Sequence, residues 1–262
     1  MIDRRTLIAT PPALLLASAA FGAPGGHLRW DSHYLLLSVT VNGKPVDALL
    51  DFNVKQTLLD RRHAAMLGVG PDGSSMTIEA AGRKLGPLKA AVSDLTDYAN
   101  QLLRGRIGLV LGRDLFAHGA WTLDLEAPSL SPVDPPRAHQ GHSVLVSDRF
   151  GNATIPIAIN GIAAQAALSF QDMDPMRVSA PFAARIGLAR SRGATTVRRT
   201  AVTQAGVAVD RLDIAGMRIA NLDAALDASD RAPDAWLGPA ILRRFRIGID
   251  LATGALWFDP HV

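Results

Sequence analysis

Between Leu35 and Val41 the chain alternates, with Leu35, Leu37, Val39 and Val41 in one register and Leu36, Ser38 and Thr40 in the other. That is the period of a strand. Asn42-Gly43 then supplies the turn of a hairpin whose second arm runs from Val46 to Leu50. The pattern returns downstream, where Ile155, Ile157 and Ile159 alternate ahead of Asn160-Gly161. Helical stretches are brief: Asp60 to Leu67 and Ala180 to Ile186 predict short helices ended by Gly68 and Gly187. The expectation is a mostly β chain with a few short helices.

The two strand patterns belong to a longer self-similarity. Val41-Asn42-Gly43 recurs as Ile159-Asn160-Gly161, 118 positions on. At the same offset Ala48-Leu49-Leu50-Asp51-Phe52-Asn53 answers to Ala166-Ala167-Leu168-Ser169-Phe170-Gln171. Ala64 to Val69 matches Ala183 to Leu188 at 119, and Ala81-Gly82 matches Ala215-Gly216 at 134. Gly112, with Trp121 to Leu125, matches Gly238, with Ile247 to Leu251, at 126. Blocks kept in one order predict two equivalent lobes. Between them Glu126 to His142 carries Pro128, Pro132, Pro135 and Pro136 without a hydrophobic period, the composition of a linker. The expected division is a first lobe over 24–125, a linker over 126–142 and a second lobe over 143–262.

The N-terminus is set apart from that division. Met1 to Ala23 has a basic start at Arg4 and Arg5, an apolar run from Leu7 to Ala20 and small residues before Ala23. It reads as a signal peptide, and Asp3 to Ile8 resembles a twin-arginine signal, so export to the periplasm or beyond by either route is expected. Pro11 and Pro12 interrupt the run, which predicts no integral membrane span in the mature chain. The formal charge of +3 falls to +2 when one acid and two bases leave with the signal. The basic residues are dispersed, so no nucleic-acid partner is expected. The chain has no cysteine, which excludes disulfides, thiol catalysis and Cys-ligated zinc. Its seven histidines are scattered, with only His139 and His142 close together, so no metal and no cofactor are expected.

Other signals read as structure. Gly68 to Gly73 spells GxGxxG, but it follows a predicted helix and contains Pro71, so it is a loop. There is no Gly-x-Ser-x-Gly elbow. Asp124 and Asp250 stand at equivalent strand ends, which favours a turn role, and Trp121 and Trp236 are expected in the core or between the lobes.

The remaining candidates lie at the centre of each half. A hairpin with a Val-Asn-Gly turn leads to a hydrophobic-hydrophobic-Asp motif and a short helix ending in Leu-Gly. A second hairpin and a hydrophobic-Gly follow, then a strand ending Leu-Asp-Leu. This order resembles bacterial retropepsin-like and pepsin-like aspartic peptidases over nearly all of residues 30 to 258. The stretches Trp236-Leu237-Gly238 and Phe245 to Asp250 carry the likeness best. The resemblance implies a bilobal pepsin-like acid-protease fold of two retropepsin-type β-barrel lobes. It also implies that one chain closes its own pseudo-dimer, so a monomer is expected.

The same resemblance implies Asp51 as the catalytic acid, and it marks Phe52, Asn53, Ser169, Phe170 and Gln171, the other residues of the two loops, as binding residues. Aspartic peptidases place two Asp-Thr-Gly loops face to face, because one carboxyl must hold a proton while the other activates water. Here Ser169 stands in the second acid's place, and a hydroxyl is no general base at neutral or acid pH. Asp172 and Asp174 follow closely, but Asp172 would have to swing back on the order of 10 Å to substitute. Both loops replace Thr with Phe, which predicts that Phe52 and Phe170 pair across the pseudo-two-fold axis. The second lobe holds 15 more residues ahead of Gly216 than the first holds ahead of Gly82, so any flap is expected around Thr195 to Gly206. The leading functional expectation is a degenerate aspartic-peptidase homologue that binds an extended peptide or partner segment in the interlobe cleft. The alternatives are an active endopeptidase using Asp51 with an unconventional second acid, and a structural envelope protein with a closed cleft.

Overall fold

The computed structural model of the chain describes residues 26–31, 34–73, 76–96, 107–133, 141–189, 206–229 and 232–261. The expected signal segment, His139 and residues 195–205 of the expected flap lie outside them. In the first half the strands are β1 (Gly26–Asp31), β2 (Tyr34–Val41), β3 (Lys44–Leu50), β4 (Leu58–Asp60), β5 (Met76–Ala80), β6 (Arg83–Leu88), β7 (Ala91–Ser93), β8 (Leu109–Leu111), β9 (Ala120–Asp124) and β10 (Ser129–Val133). The second half contributes β11 (His142–Leu145), β12 (Ser147–Arg149), β13 (Asn152–Ile159), β14 (Ile162–Leu168), β15 (Met176–Ser179), β16 (Gly206–Ile214), β17 (Met217–Asp227), β18 (Ala235–Leu237), β19 (Phe245–Asp250) and β20 (Ala255–Pro260). Helices α1 (Arg61–Leu67), α2 (Ala180–Arg185) and α3 (Pro239–Leu242) and a 3-10 turn at Arg113–Ala117 complete the described elements. Among the described residues no helix is long and apolar enough to cross a membrane.

The Asn-Gly turns explain how each lobe starts. Asn42 and Gly43 have φ of 48° and 78°, Asn160 and Gly161 50° and 82°, the left-handed pair that a tight hairpin requires. Each asparagine also ties down a third strand. Asn42 N–H donates to Thr77 O at 2.9 Å while Thr77 N–H donates to Asn42 Oδ1 at 3.0 Å. Asn160 N–H donates to Arg211 O at 2.8 Å and Arg211 N–H to Asn160 Oδ1 at 2.9 Å. Asparagine meets both demands, since it tolerates the left-handed region and carries a side-chain acceptor. The helices follow equally local rules: Asp60 accepts from Arg62 N and His63 N at the start of α1, and Ser179 accepts from Phe182 N at the start of α2.

Connectivity is the same in the two halves. The first runs β2-β3-β8-β4-β7, with β5 on the other side of β2 and β6 beyond it. The second runs β12-β13-β14-β18-β15-β17-β16, and β16 returns to pair with β13, closing a barrel. In each, the strand that leads into the central loop is parallel to a later strand, β3 to β8 and β14 to β18. The strands β11-β20-β19-β9-β10-β1 join the halves, with Leu123 of β9 opposite Ile247 of β19 near the centre. The fold is therefore bilobal and pepsin-like, as the sequence leads one to expect. Asp124 and Asp250 close equivalent turns, the first accepting from Glu126 N and Ala127 N, the second from Ala252 N and Thr253 N.

The stretch read as a linker is partly sheet. Ser129–Val133 pairs with β9 throughout and with β1 at Ser129 and Leu130. Pro132 sits beyond the end of the β1 pairing, where its missing N–H costs no ladder bond on that side. Leu130 is fully buried, so a strand with one core-facing leucine between prolines carries too little period to be read from composition. Residues 134–140 lie outside the described residues.

Candidate functional site

Two loops leave the parallel strands in the same way. Asp51 N–H donates to Leu111 O at 3.0 Å as the chain leaves β3, and Ser169 N–H donates to Leu237 O at 2.9 Å as it leaves β14. Asp51 and Ser169 thus occupy matching places. The segments that pass beside these loops must be glycine at one point. A Cβ on Gly112 would lie 2.7 Å from Val54 O, and one on Gly238 would lie 2.0 Å from Asp174 O.

Behind the loops the two phenylalanines meet. Phe52 and Phe170 are each 1% exposed, with ring centroids 5.9 Å apart and planes tilted by 55°. Phe52 also packs on Phe116 at 5.6 Å, and Phe116 meets Trp121 edge-on at 6.3 Å. An aromatic row therefore runs from the second half into the core of the first. The pairing expected from the sequence is present.

The polar brace that phenylalanine cannot make comes from the next residue. Asn53 N–H closes an Asx turn onto Asp51 Oδ1 at 2.9 Å, and Asn53 Nδ2 donates across the halves to Leu168 O at 2.8 Å. The sequence marks Asn53 as a residue of the first loop but not as a link between the halves. The overlooked signal was an amide at the third position of both motifs, Asn53 and Gln171. Asn53 Oδ1 and Gln171 Nε2 are buried without a hydrogen-bond partner, so the two positions leave one acceptor and one donor of opposite sense.

Each loop is anchored from below by a different device. In the first half Thr57 N and Oγ1 donate to the two oxygens of Asp114 at 2.8 and 2.7 Å, and Gly112 N–H donates to Thr57 Oγ1 at 3.3 Å. In the second, Arg177 on β15 stacks over Trp236 at 4.5 Å, donates from Nε to Asp172 at 2.8 Å and reaches Asp227 with a second nitrogen. These side chains are at most 15% exposed. Asp172 is thereby committed to an ion pair, and Asp174 is buried with its carbonyl wedged under Gly238. A further link joins the halves, Arg113 donating to Gly151 O at 2.9 Å and pairing with Asp148 at 3.2 Å. Neither Arg113 nor Arg177 was singled out by its sequence context.

Chemically, the matched places supply one carboxylate and one hydroxyl, flanked by two carboxamides. That set can accept and donate hydrogen bonds to a bound chain. Two carboxyls sharing a proton are not among it.

The class defined by this arrangement is the bilobal pepsin-like fold. No protein-family model and no curated protein matches the sequence. Among solved structures, basic 7S globulin from soybean is similar at a TM-score of 0.53 and 10% identity, covering 90% of this chain and 94% of its own. A retropepsin-like aspartic protease from Rickettsia conorii aligns over 46% of this chain and 95% of its own, at 17% identity and a TM-score of 0.34. At that score the second likeness has no weight for the fold, and at 10% identity the first speaks for the fold alone.

Proposed function

We propose that this is an exported, catalytically degenerate homologue of the aspartic peptidases whose interlobe cleft binds an extended polypeptide segment without cutting it. The observation that carries this reading is the placement of Ser169, which holds the position equivalent to Asp51 with the same backbone anchor. The peptidase reaction needs a base and an acid at those two places, and a serine hydroxyl supplies neither role between them. The loops are nonetheless held firmly, by Asn53 across the halves and by Arg177 beneath the second. Firm loops without the second acid suit recognition, in which the bound strand is held by hydrogen bonds and its side chains fill adjoining space.

An active endopeptidase is favoured only by the preserved setting of Asp51, and the engagement of Asp172 with Arg177 speaks against a substitute acid. A structural role with a closed cleft draws on the buried Phe52–Phe170 pair. Hydrogen exchange in the presence of a pool of extended peptides separates these readings. Slowed exchange of residues 51–54 and 169–172 is expected. A pool that leaves both loops unchanged while the protein stays folded would count against cleft binding.

A further inference from the structure

Away from the two loops, a cavity of about 610 Å³ is bordered by Glu126, Met217, Arg243, Arg244 and His261. Arg243 and Arg244 follow α3 and lead into β19, and His261 follows β20. The two strands pair from Phe245 and Pro260 at this end to Asp250 and Ala255 at the other. Leu251 and Gly254, just past that other end, border a separate cavity with Lys55, four residues from Asp51. Six residues of strand, roughly 17 Å, therefore set the first cavity apart from the one beside the Asp51 loop.

Its wall is basic, and the bases start from a fixed backbone. Arg243 N–H donates to Pro239 O at 2.8 Å, Arg244 N–H to Ile241 O at 3.1 Å and His261 N–H to Arg244 O at 3.0 Å. The Arg243 guanidinium lies over the Trp30 ring of the first half at 4.8 Å, which positions the cation without pairing it to an acid. The neighbouring acids face other groups. Asp124 lies 3.5 Å from His261 Nε2 and 3.7 Å from Arg246, and Glu126 lies 3.6 Å from His261 Nδ1. Among the described residues neither Arg243 nor Arg244 makes an ion pair. We propose that this cavity binds a small phosphomonoester, whose phosphate is held by Arg243 and Arg244. Planar guanidiniums take phosphate oxygens two at a time. Two of them match a group that carries about two negative charges at neutral pH, where a carboxylate would leave one guanidinium unmet. The volume falls within the range of small-molecule sites, and Met217 offers the organic part an apolar wall.

The test titrates the purified protein in phosphate-free buffer with phenyl phosphate, inorganic phosphate and benzoate, read by calorimetry. Phenyl phosphate is expected to bind with a Kd below about 1 mM, inorganic phosphate more weakly for want of the apolar contact, and benzoate about tenfold or more weakly. Arg243→Gln and Arg244→Gln should each weaken phenyl phosphate about tenfold or more, while Arg61→Gln, at an exposed position on α1, should leave it unchanged. Arg244 is exposed, so its variant should keep the wild-type melting temperature and report on binding alone, whatever loss of the Trp30 contact does to Arg243→Gln. Unchanged affinity in Arg244→Gln overturns the proposal, as does equal binding of benzoate or inorganic phosphate, or a wild-type Kd for phenyl phosphate above about 1 mM. Capture of the protein on phosphatidic acid vesicles without binding of phenyl phosphate overturns it in favour of a membrane surface. None of these outcomes bears on what the Asp51 and Ser169 loops bind.

Discussion

Replacing the Phe52 and Phe170 rings by leucine tests how the two halves are coupled behind the loops. Both residues are 1% exposed and their rings are 5.9 Å apart. Leucine keeps most of the bulk, so each single substitution should cost up to about 1.5 kcal/mol from imperfect packing. It should also remove the ring-to-ring term, about 0.5–1.5 kcal/mol for a pair at this separation and tilt. That term can be lost only once, so the double variant should be less destabilised than the sum of the singles by the same amount. Urea unfolding followed by tryptophan fluorescence on the four proteins measures the difference, provided each unfolds in one transition. In melting temperature it corresponds to about 2–4 °C per kcal/mol for a chain of this size. A control pairs Phe52→Leu with Phe258→Leu, whose ring meets Phe245 edge-on at 5.3 Å instead, and should be additive. Additivity of Phe52→Leu and Phe170→Leu within about 0.3 kcal/mol would mean that the rings do not couple the halves.

Three further outcomes follow from the same geometry. Gly238→Ala should destabilise more than Gly112→Ala in chemical denaturation, because its Cβ would meet a backbone oxygen at 2.0 Å against 2.7 Å; equal losses would show that the second loop relaxes freely. Arg177→Met should cost about 3–5 kcal/mol by leaving Asp172 without its Arg177 cation in a largely buried setting, and a loss below about 1 kcal/mol would place that pair in solvent. Burial pushes the Asp60 carboxyl up, but donors from Leu95 N, the His63 ring, Arg62 N and His63 N outweigh it and hold its pKa below the ordinary 3.8. Its contribution is therefore present above that value and lost as pH falls through the lowered one. Urea midpoints of wild type and Asp60→Asn should accordingly converge on acidification from about pH 5 to about pH 3.

The parts legible in the sequence were those with a local cause. The Asn-Gly turns, the alternation in β2 and β13 and the short helices ended by Gly68 and Gly187 all act within a few positions, so their spacing reveals them. Pairing of Phe52 with Phe170 was legible for a different reason, since matching halves place equivalent residues on one axis. The Asn53 bond to Leu168 was not, because the acceptor is a backbone carbonyl 115 positions away and nothing in the residue type betrays it. Arg177 was missed likewise, since its three partners Asp172, Asp227 and Trp236 come from separate segments. β10 was hidden by Pro132 within it and Pro128 just before it, since an outer stretch of strand tolerates proline and a composition scan penalises it.

Cleavage is the most direct measure of the central claim. A mixed peptide library is incubated with the purified protein and with Asp51→Asn across about pH 3 to pH 7, the range in which paired carboxyls would titrate into activity, and new termini are read by mass spectrometry. The account predicts the same products, none above background, from both folded proteins. Cuts made by the wild type and abolished in Asp51→Asn would contradict it and establish Asp51 as a working catalytic acid.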